Sequence, residues 1–479
     1  MNKPHNKINE LPETKLPTDS PEFNEAIERD FGGAIDGHEG DGFSRRRWLQ
    51  LMGASLALGG MSGCRYEEEK IAPFAFRPTT RLPGIPEKFA TMTELGGVAE
   101  PLLATNYDGR PIKLDGNPDH PDSMGASTTF TQARILEFYD PDRLRAPLVV
   151  KGPEMKAGSK FEETTWESLS RECKFPSSLA GVAVLAEPTS SPSLMRLQGE
   201  FTSKGGQWFT FAAISDDNTR AGSKMAFGAA HRAHYKFDEA KVIVTLDADP
   251  LLMNTGGIAN SIAFAKGRDA DHEKMSRMYS VESQYTTTGA AADHRISVPS
   301  SKIAGFAASL VAEVDRRLGA STTEAEKVDA SLPYRQKVLA AMAADLVANQ
   351  GGGVILAGER QSAEVHALVH SLNEKLGNHG KTITFAKLPD PDRPSSLDSI
   401  KDFATQVNSG AIKSVVILGG NPVFDAPRSL KLAEVIAKAG NSVHVSYYKN
   451  ETSMACKWVS AVAHPLETCL LYTSDAADE

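Results

Sequence analysis

From residue 181 onward, short β-branched runs alternate with longer Ala- and Leu-rich amphipathic stretches. No other feature of the chain constrains its fold as strongly. The runs lie at 181–185, 208–211, 242–246, 354–356, 382–385, 415–418 and 443–445. Each is too short for a helix and rich in β-branched or aromatic residues, and most are nearly continuous apolar runs, the texture of a strand buried on both faces. The stretches at 193–201, 303–318, 334–347 and 363–376 place apolar residues at helical spacing. Strand–helix alternation of this kind predicts parallel sheets wound by helices, as two α/β units or one interleaved pair.

Residues 65–165 differ, being rich in strand and turn formers. Asp108-Gly109 stands between two extended runs, a local hairpin signal. The stretch 115–121, Asp-Gly-Asn-Pro-Asp-His-Pro, is a loop of turn formers. Ala133, Ile135, Leu136 and Phe138 have helical spacing, and Thr164-Thr-Trp-Glu167 fits a capping box.

Composition removes several classes. The chain of 479 residues is 41 % hydrophobic, enough for a sizeable core. No apolar run reaches the ~20 residues of a spanning helix, so a polytopic membrane protein is excluded. With 52 basic against 61 acidic residues the net charge is −9, which argues against a nucleic-acid partner. The four cysteines, Cys64, Cys173, Cys456 and Cys469, contain no C-x-x-C, which disfavours an iron–sulfur or structural zinc site within the chain. The sequence leaves open whether Cys173 and Cys456 pair.

The first 63 residues read as an address. Residues 1–43 are polar, with ten acidic and four basic residues, and such a stretch cannot repay its ordering entropy by burial. Arg45 and Arg46 then open a Ser-Arg-Arg-Arg-Trp-Leu-Gln segment followed by a short, weakly apolar run of small residues. This resembles a twin-arginine export signal, with Trp48 and Gln50 in place of the usual Phe and Lys. Met-Ser-Gly-Cys at 61–64 resembles a lipoprotein box, which implies acylation of Cys64 and anchoring to a membrane. The expected location is the periplasmic face of a bacterial cytoplasmic membrane. At the other end, residues 469–479 reverse-translate to a transposase-based sequencing adapter and are expected to be foreign.

Two strand ends are candidate ligand positions. Both 244–250, ending Asp-Ala-Asp-Pro, and 416–422, ending Gly-Gly-Asn-Pro, run from an apolar strand into a small or acidic turn. Open α/β sheets hold ligands at the carboxyl ends of their strands, where small residues admit a phosphate close to the backbone. Asp249, Gly419, Gly420 and Asn421 are the residues so marked.

Several segments together resemble molybdopterin-dependent oxidoreductases of the dimethyl sulfoxide reductase type. They are the hairpin and loop at 109–121, Thr-Trp-Glu-Ser-Leu at 165–169 and Leu-Gly-Gly-Asn-Pro at 418–422. A narrower resemblance is to the molybdopterin-like B subunit of alternative complex III. It rests on 119–129, Gln-Ala-Arg-Ile-Leu at 132–136, Tyr-Asp-Pro-Asp-Arg at 139–143, 287–295, 372–378 and 419–427. This resemblance implies a subunit of a membrane quinol-oxidising complex whose partners are a multihaem cytochrome and a polytopic quinol-binding subunit. It implies a first half that has lost the molybdenum cofactor, with iron–sulfur clusters in a second half beyond 468. Consistent with that loss, no Cys lies between Tyr66 and Ala104, where catalytic relatives place a cluster-binding set. After the loop, Gly125-Ala-Ser-Thr-Thr129 stands where relatives carry Gly-x-x-Cys-x-Lys-Gly, leaving only Ser127 or Thr128 as a conceivable metal ligand.

The expected organisation is therefore leader and signal at 1–63, a strand- and turn-rich segment at 64–163, and α/β regions at 164–300 and 301–468. The alternative reading is a catalytic molybdenum–pterin subunit. There Asp249, Gly419, Gly420 and Asn421 would touch the pterin dinucleotide. Other residues read structurally: Asp293 in a turn and Arg295 pairing a carboxylate, with His294 on the opposite strand face. Gly351–Gly353 reads as entry to a buried strand, and His366 and His370 as packed on a helix without a third metal ligand. Genomic sequencing of the source is expected to diverge from this sequence at codon 469 and continue into an iron–sulfur half. A genome that encodes 469–479 and then stops overturns both expectations.

Overall fold

In the computed structural model the described residues are 82–467, apart from 83, 152–159, 253–255, 273–274 and 320–334. Arg45, Arg46, Cys64 and the segment 469–479 lie outside them.

Sixteen strands are present among the described residues. The first three are β1 (Glu87–Leu95), β2 (Val98–Tyr107) and β3 (Arg110–Gly116). Then come β4 (Leu148–Lys151), β5 (Lys160–Glu163), β6 (Val182–Ala186), β7 (Gln207–Thr210) and β8 (His231–Tyr235). β9 (Val242–Leu246), β10 (Arg277–Glu282), β11 (His294–Ser297), β12 (Gly353–Ala357) and β13 (Ile383–Lys387) follow. β14 (Ser414–Leu418), β15 (Asn441–Ser446) and β16 (Trp458–Ala461) complete the set.

The strands form a three-stranded antiparallel sheet β1-β2-β3 and a seven-stranded sheet ordered β5-β4-β16-β15-β14-β6-β7. A four-stranded sheet ordered β11-β10-β9-β12 and a β13-β8 ribbon make up the rest. All pairs in the four-stranded sheet are parallel, as are those from β16 to β7 in the seven-stranded one. The seven-stranded sheet, the four-stranded sheet and the ribbon each take strands from both sides of residue 300. The chain lays β6 and β7, leaves to build the four-stranded sheet, and returns so that β14 pairs with β6 from Ser414↔Val182 to Leu418↔Ala186. The α/β units are interleaved, as the alternation suggested.

Every apolar run became a strand, but one behaves differently. β13 buries only Ile383 and pairs antiparallel with β8, not within a parallel sheet. Thr384 and Ala386 share one face and are both exposed, so that face stays open to water. The hairpin at 108–109 forms as read: Asp108 (φ 49°) and Gly109 (φ 89°) both lie in the left-handed region that a two-residue I′ turn needs. The helix Trp166–Glu172 starts one residue later than the capping box implied. The Thr165 hydroxyl accepts from the Ser168 N–H, while Glu167 sits in the first turn facing the positive end of the helix dipole.

Two helices show how the four-stranded sheet is covered. Ile303, Phe306, Ala307, Leu310 and Val314 line one face of Ile303–Arg317. That face meets Leu339, Met342, Ala343 and Leu346 from Arg335–Ala348, over Val242, Val244, Val281 and Ile355 of the sheet. The i, i+3, i+4, i+7 spacing supplies the stripe and burial supplies the free energy.

The three-stranded sheet cannot close a core alone. Its Leu102, Ala104 and Leu114 are covered by Ile135 of the helix Thr129–Tyr139 and by Leu466. The segment carrying Leu466 is fixed by Arg143, whose guanidinium forks onto Glu467 at 3.2 and 2.7 Å, and by His464, buried against the Phe138 ring at 5.4 Å. Cys173 and Cys456 are both free thiols. Cys456 is fully buried in the core of the seven-stranded sheet, and that burial pushes its thiol up to about 12.

Burial also holds three histidines neutral. His366, His370 and His444 are each pulled down to about 4 by desolvation, His370 within a nest that includes Phe227 and Phe385. Native values below the ordinary one mean that the unfolded chain binds more protons as the pH falls. Stability is therefore lost from pH ~6.5 downward towards 4, at about 1.4 kcal/mol per pKa unit for each group. Thermal unfolding is expected to fall steeply between pH 6.5 and 4.5, and His370→Gln to flatten part of that slope. A midpoint constant across that window overturns the assignment.

Candidate functional site

The carboxyl ends of β6, β7 and β14 meet in a small cleft of about 20 Å3. Leu418 ends the strand, and Gly419 (φ 67°) and Gly420 (φ 63°) turn the chain through the left-handed region, which strains any other residue. Pro422 then starts the short helix Pro422–Asp425. Asn421 acts within the protein. Its amide donates to Glu451 at 2.7 Å, and its carbonyl oxygen accepts from the Thr452 N–H and hydroxyl at 3.2 and 2.8 Å. These bonds tie the strand end to the helix Glu451–Ala455. Below them, His444 contacts the Gly419 carbonyl at 3.3 Å and the Ser453 hydroxyl at 2.9 Å.

The side chain that lies across the glycine pair is Glu187, immediately after β6. A Cβ on Gly420 would stand 3.5 Å from its Cγ and Cδ, and one on Gly419 3.7 Å from Oε2. Partial burial raises the Glu187 carboxyl above its ordinary range, and the carboxylates of Glu94 and Asp425 add to that rise. Among the described residues the cleft is lined by Glu187 and Asp425 and by no basic residue. The turn between β1 and β2 is tied to the segment after Glu187, where the Gly97 carbonyl accepts from the Ser190 N–H and hydroxyl.

Asp249 lies elsewhere, at the carboxyl end of β9 in the four-stranded sheet. Its carboxylate accepts from the Thr288 N–H at 3.0 Å and the Thr288 hydroxyl at 2.6 Å, in the first turn of the helix Thr287–Ala291. Beside it, Asp247 (φ 53°) accepts from Ser283, Ser300 and Gln361. Burial alone would raise Asp247, but these bonds outweigh it and hold the carboxyl below its usual range. Buried Glu282 pairs with Arg295 and accepts from Ser280 and Thr286. The sequence signals thus converge on two different sheets and not on one crevice.

The remaining candidates take structural places. Arg295 pairs a carboxylate, as read, and also covers the Tyr285 ring. Asp293 is forked by Arg268 and holds the Met278 N–H, which lowers it to about 2. His294 stacks on Tyr279 at 4.9 Å. Thr128 caps the helix Thr129–Tyr139, and Ser127 accepts from Gln132. Among the described residues no group of three or more His, Cys, Asp or Glu side chains is arranged to hold a metal ion. Sequence reasoning missed Glu187, Asp425 and Glu282. The strand-end rule reaches Glu187 if it is applied to β6, but nothing local marks Asp425.

The arrangement of interleaved sheets is a molybdopterin-oxidoreductase-like α/β fold. Acetylene hydratase from Pelobacter acetylenicus superposes with a TM-score of 0.58 at 10 % identity, over 77 % of this chain and 62 % of that one. In sequence the chain is 22 % identical over 396 residues to the menaquinone reductase, molybdopterin-binding-like subunit, of Nitratidesulfovibrio vulgaris. That match covers 75 % of this chain and 56 % of the relative, so the chain spans little more than half of the relative's length. No model of a known protein family matches.

A pterin dinucleotide carries a pyrophosphate, which strand-end sites hold with cations, open backbone N–H groups or helix N-termini. The residues present do not fit one. In the cleft the glycine pair faces the protein's own Glu187, and Asn421 is committed to Glu451 and Thr452. At the other sheet the start of the helix Thr287–Ala291 is taken by the carboxylate of Asp249. Asp249→Ala strands the buried Thr288 donors and is expected to lower stability by about 1–3 kcal/mol, read as a shift of the urea midpoint. A change under ~0.5 kcal/mol overturns this structural assignment.

Proposed function

We propose that this chain is the molybdopterin-like scaffold portion of a membrane quinone oxidoreductase, of the alternative complex III type. It holds other redox subunits together and carries no molybdenum centre of its own. The observation that carries this reading is that a carboxylate of the chain itself stands at each strand end, Glu187 across the glycine pair and Asp249 bound to Thr288. An anionic dinucleotide is repelled there, while the surrounding fold is kept. The relative's name places that protein in a quinone-reducing complex as a molybdopterin-binding-like subunit, and the motif resemblance points to the quinol-oxidising one.

On this reading the chain is exported through Arg45 and Arg46, anchored by a lipid on Cys64, and works at the periplasmic face. Its partners are a multihaem cytochrome and a polytopic quinone-binding subunit, and the electrons run through iron–sulfur clusters and haems, not through residues 82–467. The alternative, a catalytic molybdenum–pterin subunit, needs Asp249, Gly419, Gly420 and Asn421 free to meet the cofactor. Metal analysis decides between them. The native complex purified from source membranes is expected to contain iron and haem with no stoichiometric molybdenum. One molybdenum per chain overturns the scaffold reading, and a chain that purifies alone from membranes overturns the complex.

A further inference from the structure

The helix Asp217–Phe227 is held to the rest of the protein by very little apolar surface. Its buried residues are Arg220, Gly222 and Ser223, and its Met225 is 59 % exposed. Phe227, at the last position, is the one large apolar side chain of the helix that is not exposed. The rings it meets are mostly imidazoles. His231, His370 and His379 stand around it with centroids at 5.8, 5.0 and 5.7 Å, and Phe385 completes the nest at 4.8 Å. They come from β8, from the helix Ala363–Lys375, from the turn before β13 and from β13. His366 lies one turn before His370, where the two helices touch. A Cβ on Gly222 would stand 2.6 Å from the Ala363 carbonyl oxygen and would overlap the His366 Cβ.

The other end of the helix is fastened differently. Arg393 reaches Asp216 at 2.5 Å, Arg220 reaches Asp390 at 3.0 Å, and the Asp217 carboxylate accepts from the Ser396 N–H at 2.7 Å. One end is tied by ion pairs, the other by imidazoles packed on a phenylalanine. A segment with so few buried apolar contacts is where a fold opens first.

The nest receives a proton badly. His366, His379 and His231 all oppose a charge on His370. Glu374 is the carboxylate that acts on His379, whose Nε2 is buried without a hydrogen-bond partner among the described residues. His366 has the Thr219 hydroxyl at 3.5 Å and the Gly358 carbonyl. Opposite His231, β13 carries Lys387. The helix itself brings Arg220, bound to Asp390, and Lys224, which reaches towards Asp392 at 3.7 Å. A charged imidazole here meets other imidazoles and cations, and that opposition ends once the ring reaches water. We propose that the nest is an acid-sensitive latch. Protonation of its imidazoles expels Phe227, and the last turns of the helix swing away from Ala363–Lys375 with the start of β8, pivoting on the Arg393–Asp216 and Arg220–Asp390 pairs. His366 and His370 stand at about 4 when closed and return to ~6.5 on exposure. Opening therefore takes up protons and is favoured as the pH falls from 6.5 towards 4. Between pH 7 and 5 each ring that charges multiplies the opening equilibrium by about twentyfold.

Hydrogen exchange of the full chain at pH 7 and pH 5, read by mass spectrometry and corrected for the intrinsic effect of pH, tests the latch. Amides of 220–231 are expected to lose protection by at least about twentyfold at pH 5, while the helix Ile303–Arg317 keeps its own. His366→Gln and His370→Gln together are expected to remove most of that loss. Phe227→Ala is expected to show the open pattern already at pH 7. Unchanged protection at pH 5 overturns the latch, and so does a loss spread evenly over the chain. A local loss that survives in the double variant overturns the histidines as its cause. Should that variant fail to fold, His379→Gln, on a half-buried ring, is expected to reduce the loss, and an unaltered loss overturns the same point.

Discussion

The structure depends on one pairing: β6 against β14. The five residue pairs from Val182↔Ser414 to Ala186↔Leu418 join segments more than two hundred positions apart. Every interior group of that ladder is away from water, so each N–H and C=O must find its partner across the gap or lose a hydrogen bond. Because β14 also pairs with β15, and β15 with β16, the return of the chain builds half of the seven-stranded sheet at once. The four-stranded sheet is the excursion made in between. Two units that share a chain in this way cannot be cut apart at one peptide bond.

The same pairing places the cleft. Bringing β14 beside β6 puts the Gly419-Gly420 turn under Glu187 and turns a strand-end crevice into a lined cavity. In such folds the crevice is where a phosphate-bearing ligand is received. Here it is occupied by protein. The acid at the end of β9 is also bound, by the first turn of the helix that follows β10. The fold is retained, while Asn421 and Asp249 are committed to partners within the chain.

Much of this was readable in the sequence because parallel strands buried on both faces write themselves as continuous apolar runs. All seven runs are strands. What failed to show was governed by tertiary context. β10 reads Arg-Met-Tyr-Ser-Val-Glu, yet five of its six residues are buried, Glu282 included, because Arg295 and Thr286 satisfy that carboxylate across the fold. β13 has the right residues but only one buried position, so its place is a ribbon. The site divides in the same way. Gly419 and Gly420 announce themselves by residue type, whereas the role of Glu187 depends on a glycine pair 232 positions later, and no local pattern carries that.

The Arg143–Glu467 fork, with its partners 324 positions apart, has a consequence in time. The β1–β3 sheet emerges early from the ribosome, but the residues that cover Leu102, Ala104 and Leu114 include Leu466. At ordinary rates of synthesis the interval is on the order of half a minute. Through that interval an apolar three-stranded sheet with unpaired edges waits for its lid. The sheet reaches its final cover only after Leu466 has been translated.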